Sequence, residues 1–211
     1  MKQINRTNFL ALILGTFVVL SFAACGTTVK RVDADSQLDL SGNWNDTDVR
    51  LVCDTLIKSC LESPSVTEFI ADYKAAHDKQ RPTVIVRPFR NTSSEHIDTS
   101  IISSMMQTAI INSGKLDFVA DASLRNEIND ERDYQQSGYV DDAQAVQLGK
   151  ETGAAFMLTG TVRSIVDTVE GKSVRSYFVD AQLINIETSR IVWQGQNSDI
   201  KKLVKRPKYK L

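Results

Sequence analysis

The chain has 211 residues, 42% hydrophobic and 24% charged, which suffices for one core-bearing domain and lies far from disordered or fibrous compositions. Lys and Arg number 25 and Asp and Glu 26, so the net charge is -1 and the basic field of a nucleic-acid binder is excluded. Three cysteines and two histidines exclude a disulfide scaffold and leave little material for a multi-ligand metal site.

Residues 1–8 carry Lys2 and Arg6 and no acid, and residues 9–24 carry no charge. The apolar run is sixteen residues long, short of the roughly 20 that a spanning helix needs. A basic start, a short apolar stretch and small residues before a break describe a secretory signal. The small residues are Ala23 and Ala24, and Cys25 follows them. The segment from Ser21 to Cys25 resembles a bacterial lipobox, departing from it at Phe22, where Leu is usual. The resemblance implies that residues 1–24 are a lipoprotein signal peptide and that the Cys25 thiol is the lipid attachment site. A plain signal peptide cut after an Ala-x-Ala-like site is the alternative. Two or more acyl chains give stable membrane anchoring. Gly26 stands after the cysteine, where an Asp would suggest inner-membrane retention. By analogy with enteric sorting, the expected address is the cell outer membrane, with the domain facing the periplasm.

Without residues 1–24 the chain has 23 positive and 26 negative side chains, a net charge of -3. Residues 201–210 hold six Lys and Arg and no acid, so residues 25–200 stand at -9. An acidic body with a basic end is the one strong charge asymmetry. Export excludes nucleic acid as the basic end's partner. Anionic lipid, an acidic protein face or the acidic body itself remain, beside a simple solvated tail. Residues 25–43 read as a short polar tether, 44–200 as the domain and 201–211 as a basic C-terminal tail. The polar lead over 26–45 is twenty residues, reaching at most about 65–70 Å when stretched.

The domain opens near Trp44. Asp46 is the expected cap of a helix to about Ser63, with Val49, Val52, Cys53, Leu56 and Cys60 as its apolar stripe. Pro64 breaks it. Ser65 and Glu68 then read as a capping box for a helix with Val66, Phe69, Ile70 and Tyr73 on one face. After a linker over 79–82, Thr83 to Phe89 is a strand rich in branched residues. A loop over 90–94 leads to a third helix to about Ser113, whose broad stripe runs from Ile97 through Ile101, Ile102, Met105, Met106 and Ala109 to Ile110. Gly114 fits the left-handed residue that ends it. Leu116 to Val119 is a short strand. Asp121 or Ser123 caps a charged helix to about Gln136, with so few apolar positions that it should be the most exposed. Asp141 is expected to cap a further helix to about Thr152. Three strands close the chain, Ala155 to Val169, Ser173 to Ile186 and Ile191 to Gln196, joined by short turns. Tyr177, Val179, Ala181 and Leu183 alternate with polar neighbours and mark one core-facing side. Phe156, Met157 and Leu158 are consecutive, so the first of these strands should be buried on both faces at its start. The order predicts an α/β fold, a mixed β-sheet of about five strands flanked by helices and ending in an antiparallel meander.

The chain has no glycine-rich phosphate loop, no Cys-x-x-Cys and no His-Glu-x-x-His. Cys53 and Cys60 share a predicted apolar helix face about 10 Å apart, too far for a disulfide, and read as core residues. His77 lies at a helix end, where positive charge is favourable. His96 follows Ser93, Ser94 and Glu95. A hydrolase reading would pair a serine with His96 and Glu95, but adjacent residues rarely converge on one centre and the nucleophile elbow is missing. The loop reads as a capping loop. The acidic pairs Asp130-Glu131 and Asp141-Asp142 read as solvated faces. No catalytic, cofactor-binding or metal residue is assigned, no cofactor is expected, and no small-molecule substrate is implied.

Several stretches together resemble the LpoB family of penicillin-binding protein activators. They are the lipobox at Cys25, Trp44 to Asp48, Arg90 to Ile97, Asn112 to Lys115, Leu148-Gly149 with Gly153-Ala154, Leu158 to Gly160, Leu183 to Thr188, Val192 to Gly195, and the basic end. The resemblance covers about residues 40–210. It implies an α/β domain like the N-terminal domain of TolB-like proteins, without catalytic residues of its own. It implies an outer-membrane lipoprotein that docks on a class A penicillin-binding protein, a bifunctional peptidoglycan synthase, and stimulates it. Enteric members carry a long proline-rich tether, whereas this chain has only the short lead. An envelope assembly or secretion accessory lipoprotein at the outer membrane is the alternative expectation.

Overall fold

The computed structural model describes residues 28–33, 36–146 and 151–205. Cys25 and the expected signal peptide lie outside the described residues. Every helix and strand described, and the whole apolar core, falls between residues 37 and 205, so this unit carries its own core. Among the described residues, no helix is long and apolar enough to cross a membrane.

The first helix, α1 (Asp46–Glu62), starts one residue earlier than expected, with Asn45 as its cap. Asn45 is extended, its Oδ1 accepts from the Asp48 amide at 3.1 Å, and Asp48 Oδ2 accepts from the Asn45 amide at 3.0 Å. That reciprocal pair satisfies two donors at once, which leaves Asp46 free to pair with Arg50 one turn on, at 2.8 Å. The expected stripe is buried: Val49, Val52, Cys53, Leu56 and Cys60 all face the core. Helix α2 (Pro64–Ala76) begins at the proline, and the Ser65–Glu68 box does not form. Proline has a helical φ and no amide hydrogen, so it serves as the first helical residue and moves the start ahead of Ser65.

Strand β1 (Thr83–Val86) and the two-residue strand β2 (Arg90–Asn91), in the stretch read as a loop, precede α3 (Ser100–Asn112). Only the i, i+4 ridge of Ile102, Met106 and Ile110 is fully covered, while Ile101 is 49% exposed, so the stripe is narrower than expected. Gly114 has φ +65°, the left-handed conformation expected after a helix end. Strand β3 (Asp117–Phe118) leads to α4 (Ala122–Gln136), capped by Asp121 on the Leu124 amide at 2.9 Å, with no buried residue. Among the described residues of the stretch expected as a helix from Asp141 to about Thr152, 142–144 form a turn and 151–154 are irregular, while 147–150 lie outside the described residues. Asp141 Oδ1 accepts from the Ala143 amide at 3.0 Å, and the Val146 amide donates to the Gln135 side chain on α4 at 3.1 Å. A tertiary bond has taken a donor that a helix would have used.

The last third holds β4 (Phe156–Val169), β5 (Lys172–Asn185), β6 (Ile191–Asn197) and β7 (Lys201–Lys205). Among the described residues the mixed sheet has seven strands, in the order β3-β1-β4-β5-β6, with β2 also on β4 and β7 also on β5. The β3, β1 and β4 pairings are parallel, and β4, β5 and β6 form the expected antiparallel meander. Residues 201–205 are not a free tail but a strand. β6 covers Val179 to Ile184 of β5 and β7 covers Lys172 to Ser176, so they follow each other along one edge.

One sheet face is the core. Phe156, Leu158 and Val162 of β4 join Tyr177, Val179, Ala181 and Leu183 of β5 against α1, α2 and α3. Met157, between them, is only half-buried, so the start of β4 is less enclosed than its apolar run suggested. Gly160 permits a close approach, since a Cβ there would fall on the Phe89 ring and the Asp180 carbonyl. The other face of the meander is polar: Arg163 pairs with Asp180, Gln196 donates to Asp180 at 2.8 Å, and Gln182 donates to Gln194 at 3.1 Å.

Candidate functional site

The densest polar constellation sits where the chain enters and leaves the domain. The core-facing alternation of β5 continues outward from Tyr177 to Arg175, and that of β7 places Lys202 on the same side, directly across from Arg175. Two cations facing each other on one face need anions, and both receive them. The Glu95 carboxylate lies 2.7 Å from the Arg175 guanidinium, accepts from the Tyr177 hydroxyl at 2.6 Å and from the Trp44 amide at 2.9 Å. Lys202 Nζ lies 2.6 Å from Asp48 Oδ2 and 2.7 Å from Asp39 Oδ1, and donates to the Asn43 carbonyl at 3.0 Å. Arg175 also donates to Asn43, and the Trp44 and Tyr177 rings meet edge to face at 5.3 Å.

The electrostatics follow the contacts. Burial acts to raise the Glu95 carboxyl, but the Tyr177 hydroxyl, the Trp44 amide and Arg175 together outweigh it and hold the group below the usual carboxylate value. Tyr177 is pushed up, by burial first and then by its bond to Glu95. For Lys202, burial favours the neutral form, yet the bonds to Asp39 and Asp48 prevail and its value is raised. Glu95 and Lys202 are therefore held in their charged forms around neutral pH. The cluster straps residues 39–45 across β5, β7 and the loop after β2. The arrangement is a mount, fixing the point at which the polar lead joins the domain. From Asp39 onward the lead is bound to the body, within the stretch expected as the 25–43 tether.

Sequence reasoning assigned Glu95 to a capping loop and Lys202 to a tail. One signal could have found them: Arg175 and Lys202 extend core-facing alternations of branched and aromatic residues with a charge, and a charge on such a face requires a buried partner.

The serine loop is arranged around itself. Ser93 Oγ donates to Asn91 Oδ1 at 2.7 Å, and Asn91 Nδ2 donates to the Glu95 carbonyl at 2.7 Å. Glu95 turns its carboxylate inward while His96 is exposed, so the three groups of the hydrolase reading diverge. His77 stacks on Tyr73 at 3.9 Å, with Nδ1 2.9 Å from the Tyr73 carbonyl. Cys53 and Cys60 are unpaired thiols buried in the core, and burial pushes both up to about 12. Among the described residues, no group of His, Cys, Asp and Glu could hold a metal ion. A cleft of about 720 Å³ lies beside α4, where Arg81 pairs with Asp117 and Arg132 with Glu151.

The family model "Peptidoglycan-synthase activator LpoB" matches residues 48–198. The chain belongs to the LpoB family. The match begins within α1 at Asp48, spans α2, α3, the serine loop and the whole β4-β5-β6 meander, and ends just before β7. Among solved structures, the chain is similar to the LpoB C-terminal domain of Escherichia coli, at 14% identity and TM-score 0.42, covering 71% of this chain and 96% of that one. It is also similar to the NMR structure of E. coli LpoB, at 12% identity and TM-score 0.39, covering 87% of this chain and 83% of that one. A third is lipoprotein GNA1162 of Neisseria meningitidis, at 21% identity and TM-score 0.34, covering 57% and 83%. No curated protein matches the chain.

Proposed function

We infer that the protein is an outer-membrane lipoprotein, acylated at Cys25, whose periplasmic domain binds a class A penicillin-binding protein and stimulates peptidoglycan synthesis without chemistry of its own. The family match over residues 48–198 carries this reading. Function by contact also suits the geometry, whose polar constellation ties residues 39–45 to β5 and β7 rather than being aimed into a cleft. The mount gives the contact a mechanical basis. A lipid at Cys25 is separated from Asp39 by thirteen residues, at most about 50 Å of chain. Beyond that point the lead is bound to the body, so the domain has one fixed pivot. The partner synthase must therefore bring its docking region close to the outer membrane.

The test is a polymerisation and crosslinking assay of each class A synthase from the same cell, with and without this domain. Stimulation of one of them, with no turnover by the domain alone, is the expected result. Absence of both binding and stimulation with every such enzyme would remove the activator role. Lipidation is read separately: labelled palmitate should enter the wild-type chain, and Cys25→Ser should lose both label and membrane association.

A further inference from the structure

Beyond the mount, β5 and β7 turn their other side outward. Lys201, Leu203 and Lys205 alternate on the outer face of β7, opposite Ser176, Val174 and Lys172 of β5. Ile165 and Val169 of β4 stand on the same face. Leu203 is 58% exposed, Ile165 61% and Val169 65%. The face thus combines three lysines with three large exposed apolar side chains. One acid, Asp167, shares it, and Glu170 lies in the turn at its tip.

The lysines are uncompensated. Lys172 stands directly across from Lys205, a pairing of like charges that costs stability in a sheet. Among the described residues, no ion pair joins Lys172, Lys201 or Lys205 to a carboxylate. The facing pair Arg175 and Lys202 on the inner side is treated in the opposite way, with Glu95, Asp39 and Asp48 supplied to it. Meanwhile residues 25–200 carry a net charge of -9. The body's net charge disfavours an anionic surface, and the three unpaired lysines give this face a local attraction for one.

We propose that this outer face of the β5–β7 end is a peripheral binding site for an anionic phospholipid leaflet. Lysines at the rim meet headgroup phosphates, and Leu203, Ile165 and Val169 enter the boundary between headgroups and acyl chains. The mount supplies the geometry. Asp39 is tied to Lys202 on the inner side of the same strand, so the lead joins the body at the same end of the sheet, on the side opposite this face. The approach to the leaflet rests on the proposed lipid anchor at Cys25. The binding itself does not, because the face is complete within the domain.

The experiment uses a leaderless chain, residues 26–211, which keeps every described element and the whole core. Flotation is measured with phosphatidylcholine vesicles containing about a third phosphatidylglycerol, and with phosphatidylcholine alone, at 0.1 M salt. The chain should float with the anionic vesicles and not with the neutral ones. One lysine near an anionic surface is worth roughly fivefold in partitioning, so Lys205→Glu should lower it about tenfold or more. The same substitution removes the clash with Lys172, so its melting temperature should stay level or rise. Leu203→Ser should also weaken flotation, while Lys58→Glu, on exposed α1 surface, should leave it unchanged. Partition unaffected by Lys205→Glu, equal binding to neutral vesicles, or no flotation would overturn the proposal. So would concentration-dependent self-association abolished by Lys205→Glu, which would give the face to a second copy. Failure of palmitate labelling with flotation intact would remove the anchor and leave this site standing.

Discussion

Replacing Glu95 with Ala tests the mount most directly. The carboxylate holds three partners at 2.6–2.9 Å, and its loss leaves the Trp44 amide without its acceptor, Tyr177 with only the Gly42 carbonyl and the Arg175 guanidinium with only the neutral Asn43 side chain. The side chains of Glu95 and Arg175 are 13% and 25% exposed, so water reaches the pair only partly. Removing one member of a fully buried pair costs about 3–5 kcal/mol, and each lost charged hydrogen bond about 1.5–3. Allowing for partial exposure and for the residual bond from Tyr177 to the Gly42 carbonyl at 3.2 Å, the loss should be about 2–4 kcal/mol. At about 2–4 °C per kcal/mol for a domain of this size, the melting temperature falls by roughly 5–15 °C. Glu95→Gln keeps an acceptor oxygen and should cost about half as much. Adding Arg175→Met to Glu95→Ala should recover part of the loss, since the unpaired cation is gone. The assay is thermal and urea unfolding followed by circular dichroism. The pH dependence has a definite sign. Glu95 is held below its ordinary value of 4.5 in the fold, so the native state binds fewer protons than the unfolded chain in that region. Its contribution is fully present above pH 4.5 and is lost as the pH falls through the lowered folded value. A Glu95→Ala melting curve within 2 °C of wild type, with an unchanged acid limb, would refute the mount as a source of stability.

Lys202→Met should free residues 39–43 and speed their amide hydrogen exchange, leaving exchange in β4 and the inner part of β5 unchanged. Because Lys202 is raised above 10.5 in the fold, its stabilisation should persist below that pH and be lost as the pH rises through the folded value. Trp193 is 6% exposed, lies over Gly195 and donates to Ser59 Oγ at 3.2 Å. Trp193→Ala should therefore cost about 3–5 kcal/mol in urea unfolding, and an unchanged midpoint would contradict its place in the core. Cys53 and Cys60 should react slowly with a thiol reagent in folded protein and rapidly in denaturant, since burial suppresses the thiolate.

Local pattern was enough wherever one element's own spacing decided the outcome. The stripe of α1, the exposure of α4, the left-handed Gly114 and the core face of β5 were all legible because periodicity reports which side of an element meets the core. The caps were less legible. Asn45 competed with Asp46, and Pro64 with Ser65, and the winner depended on which backbone geometry satisfied more donors. Residues 141–146 show the same limit, since Gln135 on another helix claims the Val146 amide.

The site was decided by tertiary structure. Glu95 and Arg175 are eighty residues apart and Asp39 and Lys202 lie 163 apart, so no local window contains either pair. Charge counting saw the basic end of the chain as one run of lysines. Strand pairing split that run by the twofold alternation of β-structure, sending Lys202 inward to carboxylates and Lys201 and Lys205 outward without them. Sequence determined which residues are charged and which faces are apolar. The register of β7 on β5, set by the meander and by the lead strapped beneath it, determined which of those charges are satisfied and which are left for something else to meet.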